Sequence, residues 1–370
     1  MKERGLSART VVLPFLLHTA IVITAYFLAD FLPKHYPAGF INPALPINPA
    51  GVIDKLIKWD AHWYTYIVDY GYDKQSIVFF PALVIFIKLL TLLNISTPLA
   101  GLIVCNIFSL LSFWAMGAVL RLDFSEKKTF LALLAYSIMP TSFFLNSIYT
   151  EPLFITFALT CVYFARQKKW WLSGIFAALA TLTRNIGIVL VIFLYIELRN
   201  SNSRRSKLPL ILPPFALLGF MLYNFLLTGD MLAFYHTQQL WGRQFGLPWS
   251  SFANNISIIF AGWPLVEPGT IIDSFIVTLA LAALLFLTFS PNYKIRFSYL
   301  IVGWLWFLIP LFSTSPYFPL YSLARFVLVI FPLYIFLAQT SKTAFHSYFT
   351  AASLTLLICA SLFMNWYWIG

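Results

Sequence analysis

Twelve hydrophobic runs, beginning near residues 11, 77, 97, 129, 152, 170, 186, 208, 271, 297, 323 and 346, leave this chain few ways to fold. A span of about 20 apolar residues is what the hydrocarbon core of a bilayer demands, and several of these runs reach it. Apolar residues make up 60% of the 370 and charged ones only 10%, too little polar surface to clothe a soluble globule of this size. The expected fold is therefore an all-α polytopic membrane protein. No polar stretch is long enough for a separate soluble domain, so residues 1–370 read as one integral membrane domain.

Charge decides how the runs are threaded. If the run at 77–93 lies along the surface, sixteen of the 24 basic residues fall in cytoplasmic loops, among them Lys2, Arg4, Arg121, Lys127, Arg204 and Arg205. Were it to cross, every later loop would flip, six basic residues would remain inside, and Lys88 would sit in hydrocarbon. The positive-inside rule favours the first arrangement, as does the cost of about 2.5–3.5 kcal/mol for a mid-bilayer lysine. This predicts about eleven crossings, an inside N-terminus read as an uncleaved signal anchor, and interfacial helices in the first outer loop. The net charge of +11 then reflects topology, and no nucleic-acid partner is implied. Two long loops, 32–96 and 228–270, face outward, together with nine of the thirteen acids, including Asp60, Glu151, Asp230 and Asp273. Chemistry that needs carboxylates is expected on the non-cytoplasmic side, which loops 32–96 and 228–270 would form.

Within 58–74, Trp59, Trp63, Tyr66 and Tyr70 recur at helical spacing and form one stripe, suited to anchoring a helix at an interface. Asp60 lies on the neighbouring face and could deprotonate a hydroxyl on a lipid-borne substrate, or be a solvated surface residue. His62 could bind substrate or shuttle a proton; equally, it could be an exposed polar residue. Glu151 precedes Pro152 at a helix start, where a carboxylate interacts favourably with the dipole, so a structural cap is the alternative to a catalytic role. Arg184, Arg243 and Arg325 stand alone at outer helix ends and ask for an anionic partner, either a substrate phosphate, a nearby carboxylate or lipid headgroups. The stretch from Trp241 to Trp249 suits a sugar-stacking loop or a membrane-surface loop.

Cys105, Cys161 and Cys359 fall in apolar runs, and the five histidines lack metal-ligand spacing, so neither a disulfide nor a metal site is expected. No sequence feature demands a cofactor. Phosphate-cradling glycine loops and nucleophile elbows are absent, which argues against nucleotide-sugar or ATP chemistry. No repeat at a fixed period supports an inverted-repeat transporter.

Several short motifs recur in a recognisable order: Trp59-Asp60 with Trp63 and Gly71-Tyr72, Phe79-Phe80-Pro81, Tyr149-Thr150-Glu151, and Thr183-Arg184-Asn185-Ile186-Gly187. Trp241-Gly242-Arg243 and Arg325 leading to Phe331-Pro332 follow. Their order and spacing over residues 59–333 resemble the PIG-V-like mannosyltransferases, membrane glycosyltransferases of the GT-C class that include the enzyme adding the second mannose in GPI-anchor assembly. The sequence departs from the family at His62, at Ala82 after Phe79-Phe80-Pro81, and at Ala324-Arg325-Phe326. The resemblance implies a GT-C-type fold and an inverting transfer of mannose from a polyprenyl-phosphate donor to a lipid-linked or membrane-associated glycan acceptor. Asp60 would then be the general base, with Glu151 orienting the acceptor, a partner side chain or a divalent metal if one is used. Arg325, Arg184 and Arg243 would face the donor phosphate, Trp59, His62 and Trp241 the substrate, and Lys88 the donor's entry. A GT-C enzyme using another sugar and a lipid or solute transporter are the competing readings.

Overall fold

The computed structural model describes residues 5–35, 42–43, 45, 53–199, 207–262, 266–316, 318–320 and 322–369. The basic residues Lys2, Arg4, Arg204 and Arg205, on which part of the charge argument rests, lie outside them, as do stretches of both long loops. Helix dominates what is described. The β-structure among the described residues is one two-residue ladder in which Gln244–Phe245 pairs antiparallel with Ser313–Thr314.

Among the described residues, five helical segments are long and apolar enough to cross a membrane: Ala8–Phe31, Thr97–Asp123, Leu208–Thr228, Pro268–Phe289 and Lys342–Met364. The other apolar runs make shorter helices. The run starting near 129 is helical only over Glu126–Ser137, ahead of Pro140, and the run starting near 323 breaks between Leu323–Val327 and Pro332–Leu337. A proline cannot donate to the helical ladder and clashes with the turn before it, so each break has a local cause. Pro81–Thr91 is 11 residues, about 16 Å of helix against a hydrocarbon core of about 30 Å.

The chain forms two compact units with interleaved boundaries. The first comprises Met1–Leu6, Ala38–Asp123 and Phe144–Gln238; the second comprises Ser7–Pro37, Phe124–Phe143 and Gln239–Gly370. In the first unit Glu151–Arg166 packs between Thr97–Asp123 and Trp170–Thr183. Close approach depends on small residues: a Cβ on Gly101 would meet Ile148 at 2.7 Å, and one on Gly174 would meet Pro209 at 2.7 Å. Phe80, Phe220 and Phe234 form an aromatic cluster with Ile77 and Ala233 in the same unit.

In the second unit Ala8–Leu28 packs against Glu126–Ser137 and Lys342–Met364. Polar side chains register these contacts. The Ser361 hydroxyl donates to the Ala25 carbonyl at 3.2 Å, and the Asn365 amide donates to that of Ala29 at 2.6 Å. The imidazole Nδ1 of buried His18 lies 2.9 Å from the Ser137 carbonyl. Serines 7, 125 and 341 cap the helices that follow them through their side-chain oxygens.

Candidate functional site

The first unit holds Asp60, Glu151 and Arg184. Asp60 is the first residue of the helix Asp60–Tyr70, and its side chain is partly exposed. Trp59, ahead of it, adopts φ 53° and ψ −116°, a conformation that costs a bulky residue about 1–3 kcal/mol. Its side chain supplies no cap to the helix. The Asp60 amide instead donates to the hydroxyl of Tyr149 at 3.3 Å, and that hydroxyl donates to the Lys58 carbonyl at 3.2 Å.

His62 is not the exposed polar residue that the sequence allowed. It is 1% exposed, its Nε2 lies 3.2 Å from the Ile57 carbonyl, and burial together with the nearby Lys58 charge pulls its pKa down to about 4. A neutral imidazole donating to Ile57 ties the turn before Asp60 to the helix after it. The alternative of an exposed polar residue is therefore corrected: the ring is buried and engaged by backbone. The aromatic stripe also divides. Trp63 is buried and stacks on Phe79 at 5.8 Å, while Tyr70 remains exposed. The interfacial-anchor reading therefore fails at Trp63, where Phe79 from the 76–80 turn takes the ring.

Lys88 has a local partner. The residue is exposed, and its ammonium donates to the Val68 carbonyl at 3.0 Å. It thus satisfies one of the orphan acceptors at the C-terminal end of the Asp60 helix, where a cation is also favoured by the dipole.

Glu151 opens the helix Glu151–Arg166 with Pro152 in the first turn, as the motif predicts. The carboxylate is 0% exposed and forms an ion pair with Arg184. Local sequence explains how Arg184 gets there. It ends the Trp170–Thr183 helix in an extended conformation, and a 3₁₀ turn over Asn185–Val189 folds back so tightly that a Cβ on Gly187 would meet the Ala180 carbonyl carbon at 2.5 Å. Glu151 thus holds a partner side chain, one of the roles the family resemblance left open to it. The carboxylate alternative for Arg184's partner is the one observed.

The second unit holds Trp241, Arg243 and Arg325. Gly242 takes φ +69°, turning the chain so that Arg243 reaches Ser313 and Ser322 with its two terminal nitrogens at 3.3 and 3.4 Å. Ser322 starts the short helix carrying Arg325. Arg325 is almost buried, its guanidinium 5.8 Å from the ring centres of both Phe326 and Trp368. Buried Asp273 lies within electrostatic reach of Arg325, and its Oδ1 makes no hydrogen bond among the described residues. Trp241 is half-buried. Among the described residues no three His, Cys, Asp or Glu side chains converge as a metal site would require.

Two participants went unassigned in the sequence. Tyr149 belongs to a quoted motif, but nothing in its spacing tells that its hydroxyl reaches Lys58 and Asp60. Asp273 carried a usable signal: an acid at the mouth of a long apolar run is a functional candidate by default.

The sequence profile of the family described as "Mannosyltransferase (PIG-V)" matches residues 8–241. The chain belongs to that family. The PIG-V match takes in Asp60, Lys88, Glu151 and Arg184 and stops at Trp241, so Arg243 and Arg325 lie beyond it. Among curated PIG-V-type relatives, the GPI alpha-1,6-mannosyltransferase 2 of Homo sapiens is 28% identical, over 47% of this chain and 39% of its own length. That of Rattus norvegicus is 28% identical over 44% and 37%, respectively. The chain thus spans about two fifths of the length of these relatives.

Proposed function

We propose that this protein transfers mannose, with inversion, from a polyprenyl-phosphate-linked donor to a hydroxyl of a lipid-linked or membrane-associated glycan on the non-cytoplasmic side. In this reading all the shorter apolar helices except Pro81–Thr91 contribute to about eleven crossings. Asp60 is the general base. Its carboxylate takes the acceptor hydroxyl's proton as that oxygen bonds to the sugar's anomeric carbon, and the bond to the phosphate oxygen breaks. Polyprenyl phosphate leaves as a stable anion, so no acid need protonate it. Such a base contributes about 10²–10⁴-fold in rate. Phosphate recognition falls to Arg325 and Arg243, whose planar forks suit an anion with several oxygens. Glu151, in contrast, acts by holding Arg184.

One observation carries the assignment. Of the two acids the family motifs single out, Asp60 alone keeps solvent access, on a helix start held from two directions. The mannosyltransferase names of the relatives support the sugar.

Purified protein in vesicles of its host's total lipid, supplied with labelled polyprenyl-phosphate mannose, should release polyprenyl phosphate and label a lipid product identifiable by mass spectrometry. Asp60→Asn should lower that release at least 100-fold without altering yield. Near-normal turnover by Asp60→Asn would remove it from the chemistry, and translocation of intact donor without release would make the protein a transporter.

A further inference from the structure

We infer that Tyr149 is a positioning residue for the base: its hydroxyl acts as the N-cap of the Asp60 helix, supplied from a different segment of the first unit. The inference rests on the reading of Asp60 above. A helix begins with amide groups that have no intrahelical acceptor, and a neighbouring Ser, Thr, Asp or Asn ordinarily takes one of them. Trp59 stands at that position and has no acceptor to offer. The Ala61 and His62 amides turn back to the Lys58 and Trp59 carbonyls at 3.1 and 2.9 Å, which leaves the Asp60 amide. Tyr149 takes it.

A phenol can donate one hydrogen bond while accepting another, and Tyr149 uses both capacities on the same turn. It donates to Lys58 on one side of Trp59 and accepts from Asp60 on the other, so it brackets the strained residue. The phenol itself is fixed. Its ring is 1% exposed and lies 4.6 Å from that of Phe144, and its own carbonyl accepts from the Cys105 thiol at 3.5 Å. Two residues on, Glu151 is locked to Arg184. The Tyr149-Thr150-Glu151 motif thus has a sealed anchor at one end and a grip on the base at the other. This accounts for a motif whose acid is buried against Arg184.

A base displaced by even 1 Å can lose about 100-fold in rate. The Tyr149 bonds are long, so a milder effect is expected. In full-length protein reconstituted as above, Tyr149→Phe should lower kcat roughly tenfold with KM for polyprenyl-phosphate mannose unchanged within twofold. Tyr149→Phe added to Asp60→Asn should lower kcat no further, although it shifts thermal unfolding equally in both backgrounds. Wild-type kcat in Tyr149→Phe would overturn the assignment, and so would the same tenfold factor in the Asp60→Asn background. Amide exchange in the unsubstituted protein provides a check that needs no variant. The Asp60 amide should exchange at least tenfold more slowly than exposed turn amides, and equal rates would overturn the cap. An inactive Asp60→Asn beside a fully active Tyr149→Phe removes the positioning role alone; an active Asp60→Asn removes the base itself.

Discussion

Arg184 reaches Glu151 across 33 residues of sequence, and both side chains are buried, that of Glu151 completely. Removing one member of a buried pair strands the other charge, which typically costs 3–5 kcal/mol, whereas removing both charges together is far milder. Arg184→Ala should therefore accumulate poorly and unfold well below the parent protein in detergent. Glu151→Gln combined with Arg184→Gln should recover most of that loss. Recovery of stability without activity would return Glu151 to the chemistry, and recovery of both supports its role as an anchor.

The buried His62 makes stability depend on pH. Its pKa falls from the usual 6.5 to about 4, so between those values the unfolded chain binds a proton that the folded protein does not. Stability is then full above about pH 6.5 and declines as pH drops towards 4, by up to roughly 3 kcal/mol from this group. Thermal unfolding measured between pH 7.5 and 4.5 should show the decline, and His62→Gln should flatten it. A slope unchanged by His62→Gln would show that other groups cause it.

Gly187 meets the Ala180–Thr181 backbone so closely that no side chain fits without shifting main chain. Gly187→Ala should push the Asn185–Val189 turn outward and loosen Arg184 from Glu151. We expect destabilisation of about 1–3 kcal/mol, the range for overpacking, measured as a lowered unfolding temperature. Gly219, where a Cβ would meet nothing within 4 Å, supplies the control: Gly219→Ala should unfold at or above the parent temperature.

Arg243 engages two hydroxyls at once, through separate nitrogens. Lysine keeps the charge and loses the fork. If this guanidinium also meets the donor phosphate, Arg243→Lys should raise KM for polyprenyl-phosphate mannose several-fold while kcat changes less than twofold. A fall in kcat with KM unmoved would count against phosphate binding.

Composition and run length gave the helical membrane class without difficulty, because bilayer thickness is a physical ruler. Pro140 likewise gives a local reason for the run after 129 to stop early, whereas the break in the run after 323 was not foreseen. Burial was harder. The spacing of Trp63 with Tyr66 and Tyr70 places them on one helical face, but whether that face meets lipid or protein depends on Phe79, and no local pattern encodes that contact. His62 reads as a polar residue two positions from an acid, and only the carbonyl of Ile57 makes it a core residue. The Glu151–Arg184 pair was open to the same ambiguity. A cation and an acid at outer helix ends can each serve a substrate, and only their meeting assigns them to each other. The interleaved units were not legible at all, since each is assembled from separated segments without a linker between them.

The backbone at Trp59 carries a further implication. Glycine would adopt φ 53° with no steric objection, and the chain would form the bend before Asp60 more readily with a hydrogen atom there than with an indole. Whatever the ring contributes must exceed that penalty, and a fold that tolerates it has set something above its own ease of folding. Trp59→Gly separates the two: a hardier protein that has lost its speed would identify the indole as a working part.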